Sequence, residues 1–196
     1  MNNFYPIKSK KELGSFLEED KKACFGSTEV SFEKKLRNPF KNNLFRFFKL
    51  LRKYEYLCFK RDSSKNTIIS RLISLKIKLV DIRKNRLSLK LGVEINPFAC
   101  GKGVRICHPN VVINGHVGDG CIFHGNNVVG NKKTGNKNAV PKIGNNVDIG
   151  TGAIIIGDVV IADNCVIGAG AVVTKSFTTP GTIIAGVPAK EISGEK

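Results

Sequence analysis

The sequence predicts a mainly β fold, a solenoid of short strands, preceded by a basic α-helical segment. Three observations carry that prediction. Between Val117 and Val173 a six-residue unit recurs: VGDGCI from Val117, FHGNNV from Phe123, IGNNVD from Ile143, IGTGAI from Ile149, IIGDVV from Ile155, IADNCV from Ile161 and IGAGAV from Ile167. Before Gly92, apolar residues recur at helical spacing instead. The charge divides at the same place: residues 1–92 hold 23 Lys and Arg against 9 Asp and Glu, a net of +14, and residues 93–196 hold 9 against 7, a net of +2.

A period of six fits neither a helix of 3.6 residues per turn nor a simple alternating strand. It fits a solenoid in which each unit makes one short strand and one turn. Three units close a triangular coil, and coils stack at about 4.8 Å. The apolar first residue of each unit points inward. The Gly or Ala that often follows lets the backbone turn the corner.

In chain order, residues 8–22 read as a helix, with Ser9 as N-cap and Glu12 completing a capping box. Residues 42–61 carry Leu44, Phe47, Phe48, Leu51, Tyr54, Leu57 and Cys58 at helical spacing, and residues 65–91 carry Ile68, Ile69, Leu72, Leu75, Leu79 and Ile82 likewise. These stripes are expected to form the core of a basic α-helical domain over 1–91. The solenoid is expected over 92–178. From Gly130 the chain runs NKKTGNKNAVPK, and the step from Val129 to Ile143 overshoots one unit by eight. Residues 131–142 should therefore leave the wall as a loop, and loops on rigid solenoids carry function. Residues 179–196, with the turn signal Pro180-Gly181, are expected to cap the open apolar end.

Composition narrows the function. The six cysteines (Cys24, Cys58, Cys100, Cys107, Cys121, Cys165) form no C-x-x-C pair, so no redox motif or zinc knuckle is indicated. Cys121 and Cys165 take the fifth position of their units, where a small packed side chain belongs in a reducing compartment. No run approaches 18 apolar residues, so no membrane-spanning helix is expected, and MNNFYPIKSKKELG has no stretch of signal-peptide type. The expectation is a cytoplasmic protein whose basic helices meet phosphate-bearing acidic ligands or the inner face of an anionic membrane. Single-strand binders interleave aromatic and basic residues on one surface. That pattern is missing, so nucleic acid is not an expected partner.

IGAGAVVTKSFTTPGTIIAGVPAKEI, residues 167–192, resembles the C-terminal signature of hexapeptide-repeat acyltransferases. VEINP at 93–97, His108 and PKIG at 141–144 narrow the likeness to serine acetyltransferases and their relatives in capsule and O-antigen clusters. The likeness covers about residues 90–192. It implies a left-handed parallel β-helix assembled as a homotrimer, with acetyl-CoA in a groove between neighbouring prisms. It also implies a cofactor-binding set of Gly150, Ala153, Gly168 and Ala171 along the pantetheine arm, with Lys175 and Lys190 near the phosphates.

Transfer of an acetyl group to a hydroxyl needs a base that titrates near neutrality. By the resemblance that base is His108, which would take the acceptor's proton and return it to the departing thiolate. Glu94 aligns with the aspartate that orients this histidine, although the residue is Glu and the spacing is one residue shorter. His124 is placed on the acceptor side, and His116, at the end of a unit, is expected to be exposed. Some left-handed β-helices are zinc carbonic anhydrases with one long and one short histidine spacing. Here the two spacings are equal, so no metal is expected.

The resemblance also bears on the acceptor. Serine acetyltransferases carry an acidic residue before the catalytic histidine and Arg-His before the Pro-Lys-Ile segment. Here Cys107 and Ala139-Val140 stand there. Each charge-assisted hydrogen bond lost would cost about 1.5–3 kcal/mol. The expectation is therefore O-acetylation of a sugar hydroxyl, on a small-molecule or lipid-linked sugar, in surface-polysaccharide biosynthesis. Serine O-acetylation is the alternative, and a non-enzymatic basic solenoid that binds nucleic acid or membrane is a third reading.

Overall fold

The structure is a computed structural model and describes residues 7–132 and 139–192. The chain divides into two compact units, one ending at Leu91 and one opening at Gly92.

The first unit holds α1 (Lys10–Phe25), α2 (Phe32–Arg37), α3 (Pro39–Asp62) and α4 (Thr67–Leu91). Helix α1 starts at the expected capping box. The Glu12 N–H donates to Ser9 Oγ at 3.1 Å, and the Ser9 N–H donates to the Glu12 carboxylate at 2.9 Å. The Lys8 N–H adds a third bond at 2.7 Å. These backbone donors, Lys8 foremost, hold the Glu12 carboxyl below its usual range. Asn66 opens α4 in the same way, accepting from the N–H groups of Ile68 and Ile69.

Helix α1 locks onto α3 through a buried ion network. Arg52 donates through Nε to Asp20 at 2.9 Å, through Nη2 to the other Asp20 oxygen at 3.4 Å, and through Nη1 to Glu55 at 3.2 Å. All three residues are fully buried, and the guanidinium lies 5.0 Å from the Phe16 ring centroid. Around it α3 buries Leu44, Phe47, Phe48, Leu51, Leu57 and Cys58. This is the expected stripe, with Tyr54 half-buried at its edge.

Two sequence expectations need correction here. The short helix α2 has no counterpart among them; its six residues are too few to show a periodic stripe. The residues expected to be the core of α4 are exposed: Ile68, Ile69, Leu72, Leu75, Leu79 and Ile82 all face solvent in this chain. Helix α4 instead buries Ile73, Ile77, Val80 and Leu91, with Lys84 tucked in beside Asp81 at 2.9 Å. The helix carries two apolar faces roughly 140° apart at 100° per residue. Apolar spacing alone does not say which of them packs on α3.

The second unit is a left-handed parallel β-helix. Its strands are β1 (Val93–Ile95), β2 (Arg105–Ile106), β3 (Val111–Ile113), β4 (His116–Val117), β5 (Ile122–Phe123), β6 (Asn127–Gly130), β7 (Lys142–Ile143), β8 (Asp148–Ile149), β9 (Ile154–Ile156), β10 (Val160–Ile161), β11 (Val166–Ile167), β12 (Val172–Val173), β13 (Ile183–Ala185) and β14 (Lys190–Ile192). They make three faces, ordered β1-β3-β6-β9-β12, β4-β7-β10 and β2-β5-β8-β11-β13-β14. Every pairing is parallel except β13–β14. The first residue of each unit stacks inside: Phe123 lies over Ile106 and under Ile149, and Ile167 and Ile184 continue the row, all buried.

Asparagine turns several corners. Asn110, Asn126, Asn146 and Asn164 have φ of 61°, 55°, 53° and 59°, a left-handed conformation that Asn tolerates better than most residues. Their side chains ladder from coil to coil, with Asn110 donating to Asn126 at 3.0 Å. Cys121, at its expected packed position, is buried beside the Gly144 carbonyl at 3.1 Å, and burial pushes its thiol up to about 12.

The expected loop falls where β6 ends at Gly130 and β7 resumes at Lys142. Ile155 pairs with Val173, three units further along the chain. Val129 pairs with Ile155 across the insertion, in the same row and the same register. The surplus residues therefore leave the stacking undisturbed. Residues 133–138 lie outside the described residues, as do 193–196 of the expected cap. Within that cap segment, β13 adds a parallel rung on β11 and β14 folds back against it.

Two substitutions test this packing. Asp20→Ala leaves the buried Arg52 charge under-compensated and should cost about 3–5 kcal/mol in urea unfolding. On α4, Ile77→Ala should cost about 2–5 kcal/mol, whereas Leu75→Ala should stay within about 0.5 kcal/mol.

Candidate active site

The site forms at the corner where the chain leaves the face of β2, β5, β8, β11 and β13. One residue beyond each inward apolar residue the backbone turns outward. Register stacks these residues in one column: Cys107, His124, Gly150, Gly168 and Ala185. The N–H groups of Cys107, His124, Gly150 and Gly168 each donate to the next coil, at 2.7–3.0 Å.

His108 stands one residue further round the corner and is exposed. Gly125 stacks on it. A Cβ on Gly125 would sit 2.7 Å from His108 Cβ, and φ of 115° at Gly125 excludes most other residues. His124 Nε2 lies 2.8 Å from Asp148 Oδ1, and both side chains are partly exposed. An ionised carboxylate only accepts, so Nε2–H donates and a neutral ring keeps Nδ1 as an acceptor. Below the surface Asn127 braces the corner. It is buried, accepts the Gly125 N–H at 2.9 Å and donates to the Gly150 carbonyl at 2.7 Å.

The sequence-predicted residues separate into groups. His108, His124, Gly150 and Gly168 share this corner. Lys190 reaches its end, because β14 pairs Lys190 with Ala185. Lys175 lies beyond β12 at another corner, with Nζ 5.4 Å from the Phe177 ring centroid. Ala153 and Ala171 are fully buried inside the prism, so their methyl groups shape the corner from within and meet no ligand. Both take the fifth position of their units, which points inward.

Glu94 makes no hydrogen bond to His108 among the described residues. It pairs with Val112 along β1 and β3, several residues past the histidine corner, with its side chain outward. The carboxylate joined to a histidine here is Asp148, and its partner is His124. His116 lies on the face of β4, away from the corner. Burial first, then Lys142, lowers its pKa. Among the described residues no three His, Cys, Asp or Glu side chains gather in a metal-binding group.

Sequence reasoning missed Asp148 and Asn127, and both left a signal. Asn127 puts an amide at the fifth position of FHGNNV, where Cys121 and Cys165 put thiols in their own units. Asp148 ends IGNNVD where an apolar residue ends most other units.

Two tests follow from this geometry. Gly125→Ala forces a clash with His108 and a strained φ, and should lower stability by about 1–3 kcal/mol in thermal melts. Cys107 is the one cysteine of the six that is not buried. Iodoacetamide applied to the native protein should therefore label Cys107 first by mass spectrometry, with Cys121 unlabelled.

Comparison with known proteins supports the fold and redirects the acceptor. Residues 141–175 match the bacterial transferase hexapeptide family (six repeats). The chain is 36% identical over 110 residues to a serine acetyltransferase of Synechococcus elongatus, covering 53% of this chain and 44% of that protein. It is 39% identical over 106 residues to the serine acetyltransferase of Mycobacterium tuberculosis, covering 52% and 45%. The chain thus spans less than half the length of these relatives. Among solved structures it is similar to Neisseria gonorrhoeae serine acetyltransferase in complex with serine, with TM-score 0.66 and 26% identity, covering 94% of this chain and 71% of that one. Soybean serine acetyltransferase gives TM-score 0.64 at 25% identity, covering 92% and 69%. These likenesses overturn the expected sugar acceptor and the expected closeness to polysaccharide-cluster enzymes. The missing charges at Cys107 and Ala139-Val140 do not outweigh these likenesses, and the carboxylate found beside a corner histidine is Asp148. Over residues 141–175 the chain carries the hexapeptide repeat of bacterial transferases, on a fold it shares with serine acetyltransferases.

Proposed function

We propose that this chain transfers the acetyl group of acetyl-CoA to the hydroxyl of L-serine, with His108 as the base. The observation that carries the reading is the corner itself. It combines an exposed imidazole, a second imidazole fixed by a carboxylate, and a run of small residues. The serine acetyltransferase likenesses supply the donor and the acceptor.

In this reading His108 takes the serine hydroxyl proton as the oxygen attacks the thioester carbonyl. A tetrahedral intermediate forms and collapses, the C–S bond breaks, and the imidazolium returns the proton to the CoA thiolate. His124, held by Asp148, lines the acceptor side, and the Asp148 carboxylate offers the serine ammonium a negative partner. Gly150 and Gly168 give the pantetheine arm close access to backbone. A Cβ on Gly150 would already meet the next coil at 2.6 Å, so no side chain can crowd that edge. Lys190 stands at the end of the same column for the CoA phosphates.

The column runs along an outer edge of one prism. A ligand there has one wall, and a neighbouring copy supplies the second. We therefore include a homotrimer in the proposal, with CoA held between adjacent prisms.

The test is a thiol-release assay with acetyl-CoA and L-serine. Serine-dependent release is expected, and His108→Ala should lower kcat at least about 100-fold with the native mass unchanged. A wild-type protein that releases no thiol with serine would sink the acceptor assignment. Full activity in His108→Ala would remove the base.

A further inference from the structure

The outward face of α4 is left without a partner inside the helical unit. Ile68, Leu72, Leu75, Leu79, Ile82 and Leu89 follow one another at steps of three, four or seven residues and are 50–85% exposed. At 1.5 Å per residue this line is about 32 Å long. Isolated exposed leucines are ordinary, but a continuous stripe of this kind marks an interaction surface.

Its flanks choose the partner. Arg71, Lys76, Lys78, Arg83 and Lys90 border the stripe, and Arg86 lies within it. The one acid of α4, Asp81, is paired with Lys84 beside the buried face. On the side toward α3 the stripe gives way to a cleft of about 490 Å³, lined by Arg46, Lys49, Arg83 and Arg86 over Leu50 and Leu87. None of these four cations forms an ion pair among the described residues. Their other contacts are slight: Arg46 donates to Asn43 at 3.4 Å, and Lys49 Nζ lies 5.8 Å from the Phe45 ring centroid.

We propose that this face of α4, with the adjoining α3–α4 cleft, docks on an anionic membrane surface. The leucine and isoleucine stripe enters the interface between headgroups and acyl chains, and the cations take lipid phosphates in and beside the cleft. Among the described residues no helix is long and apolar enough to span a bilayer, so the contact is peripheral. A second copy meeting this face with the same face is a poorer fit, because two such faces would set Arg and Lys against Arg and Lys with Arg86 in the seam; a copy meeting it with a different face is the outcome that the native mass below reads. This inference does not depend on the proposed acetyl transfer and can fail without it.

The test mixes the whole chain with phosphatidylglycerol vesicles or phosphatidylcholine vesicles and sediments them at low and high salt. Pelleting is expected on the anionic vesicles only, with release by salt. Arg83→Glu with Arg86→Glu should weaken it at least about tenfold. Leu75→Ser with Leu79→Ser should weaken it as well while leaving the thermal melt unchanged. No pelleting on anionic vesicles, or pelleting indifferent to both double variants, overturns the proposal. So does a fall in native mass of Leu75→Ser with Leu79→Ser when the wild type ignores vesicles, which would give the face to a second copy.

Discussion

Every position in the prism is set by the stacking of one inward apolar residue on the next. The strands are two to four residues long and would not hold alone. They hold because each coil donates its backbone hydrogen bonds to the next and buries an Ile, Val or Phe in the same row. Burial of each such side chain stabilises by about 1.5–3 kcal/mol. A residue's function then follows from its count past the inward residue. One step beyond Phe123, Ile149 and Ile167 gives the His124, Gly150 and Gly168 column, and one more step beyond Ile106 than Cys107 reaches His108.

The stacking is regular where nothing else is required of it. Lys142 pairs with Val160, Asp148 with Val166 and Ile154 with Val172, in each case three full units on. Around the histidine corner the count changes. Arg105 pairs with Ile122, one position short of three units, and Val111 pairs with Asn127, two positions short. The shortened coils close through the positive φ that glycine permits at Gly125 and through the buried amide of Asn127. Local rules broken at one place, with compensation built beside it, are typical of a functional site.

The architecture was legible because its signal repeats. Seven units with an apolar first residue fix the strands, the interior row and the place of the surplus loop without reference to any distant contact. His108 and His124 were legible as candidates, being two of only three histidines. The partner of a histidine was not, because Asp148 lies far beyond His124 in the chain and meets it only through register across the insertion. Resemblance pointed to Glu94, but the β1–β3 register carries that carboxylate past the corner. Ala153 and Ala171 share the smallness of Gly150 and Gly168, yet the period places them on the inner side of the wall. Helix α4 shows the limit of periodicity from the other direction. Both of its apolar faces satisfy a helical repeat, and only the packing of α3 on Ile73, Ile77 and Val80 separates core from surface.

Regular and irregular coils divide the labour of the second unit. Coils from Lys142 to Val173 keep the three-unit repeat, with a fully or almost fully buried interior, and supply stability to the stack. Coils from Cys100 to Asn127 give up that regularity and carry both corner histidines. The shortened coils rest on the regular ones, since β5 pairs with β8 and β6 with β9. Gly125, with φ of 115°, is therefore held between coils whose register opposes its movement. That opposition keeps His108 under Gly125 and His124 against Asp148, in a geometry that a free loop carrying the same residues would lose to conformational entropy.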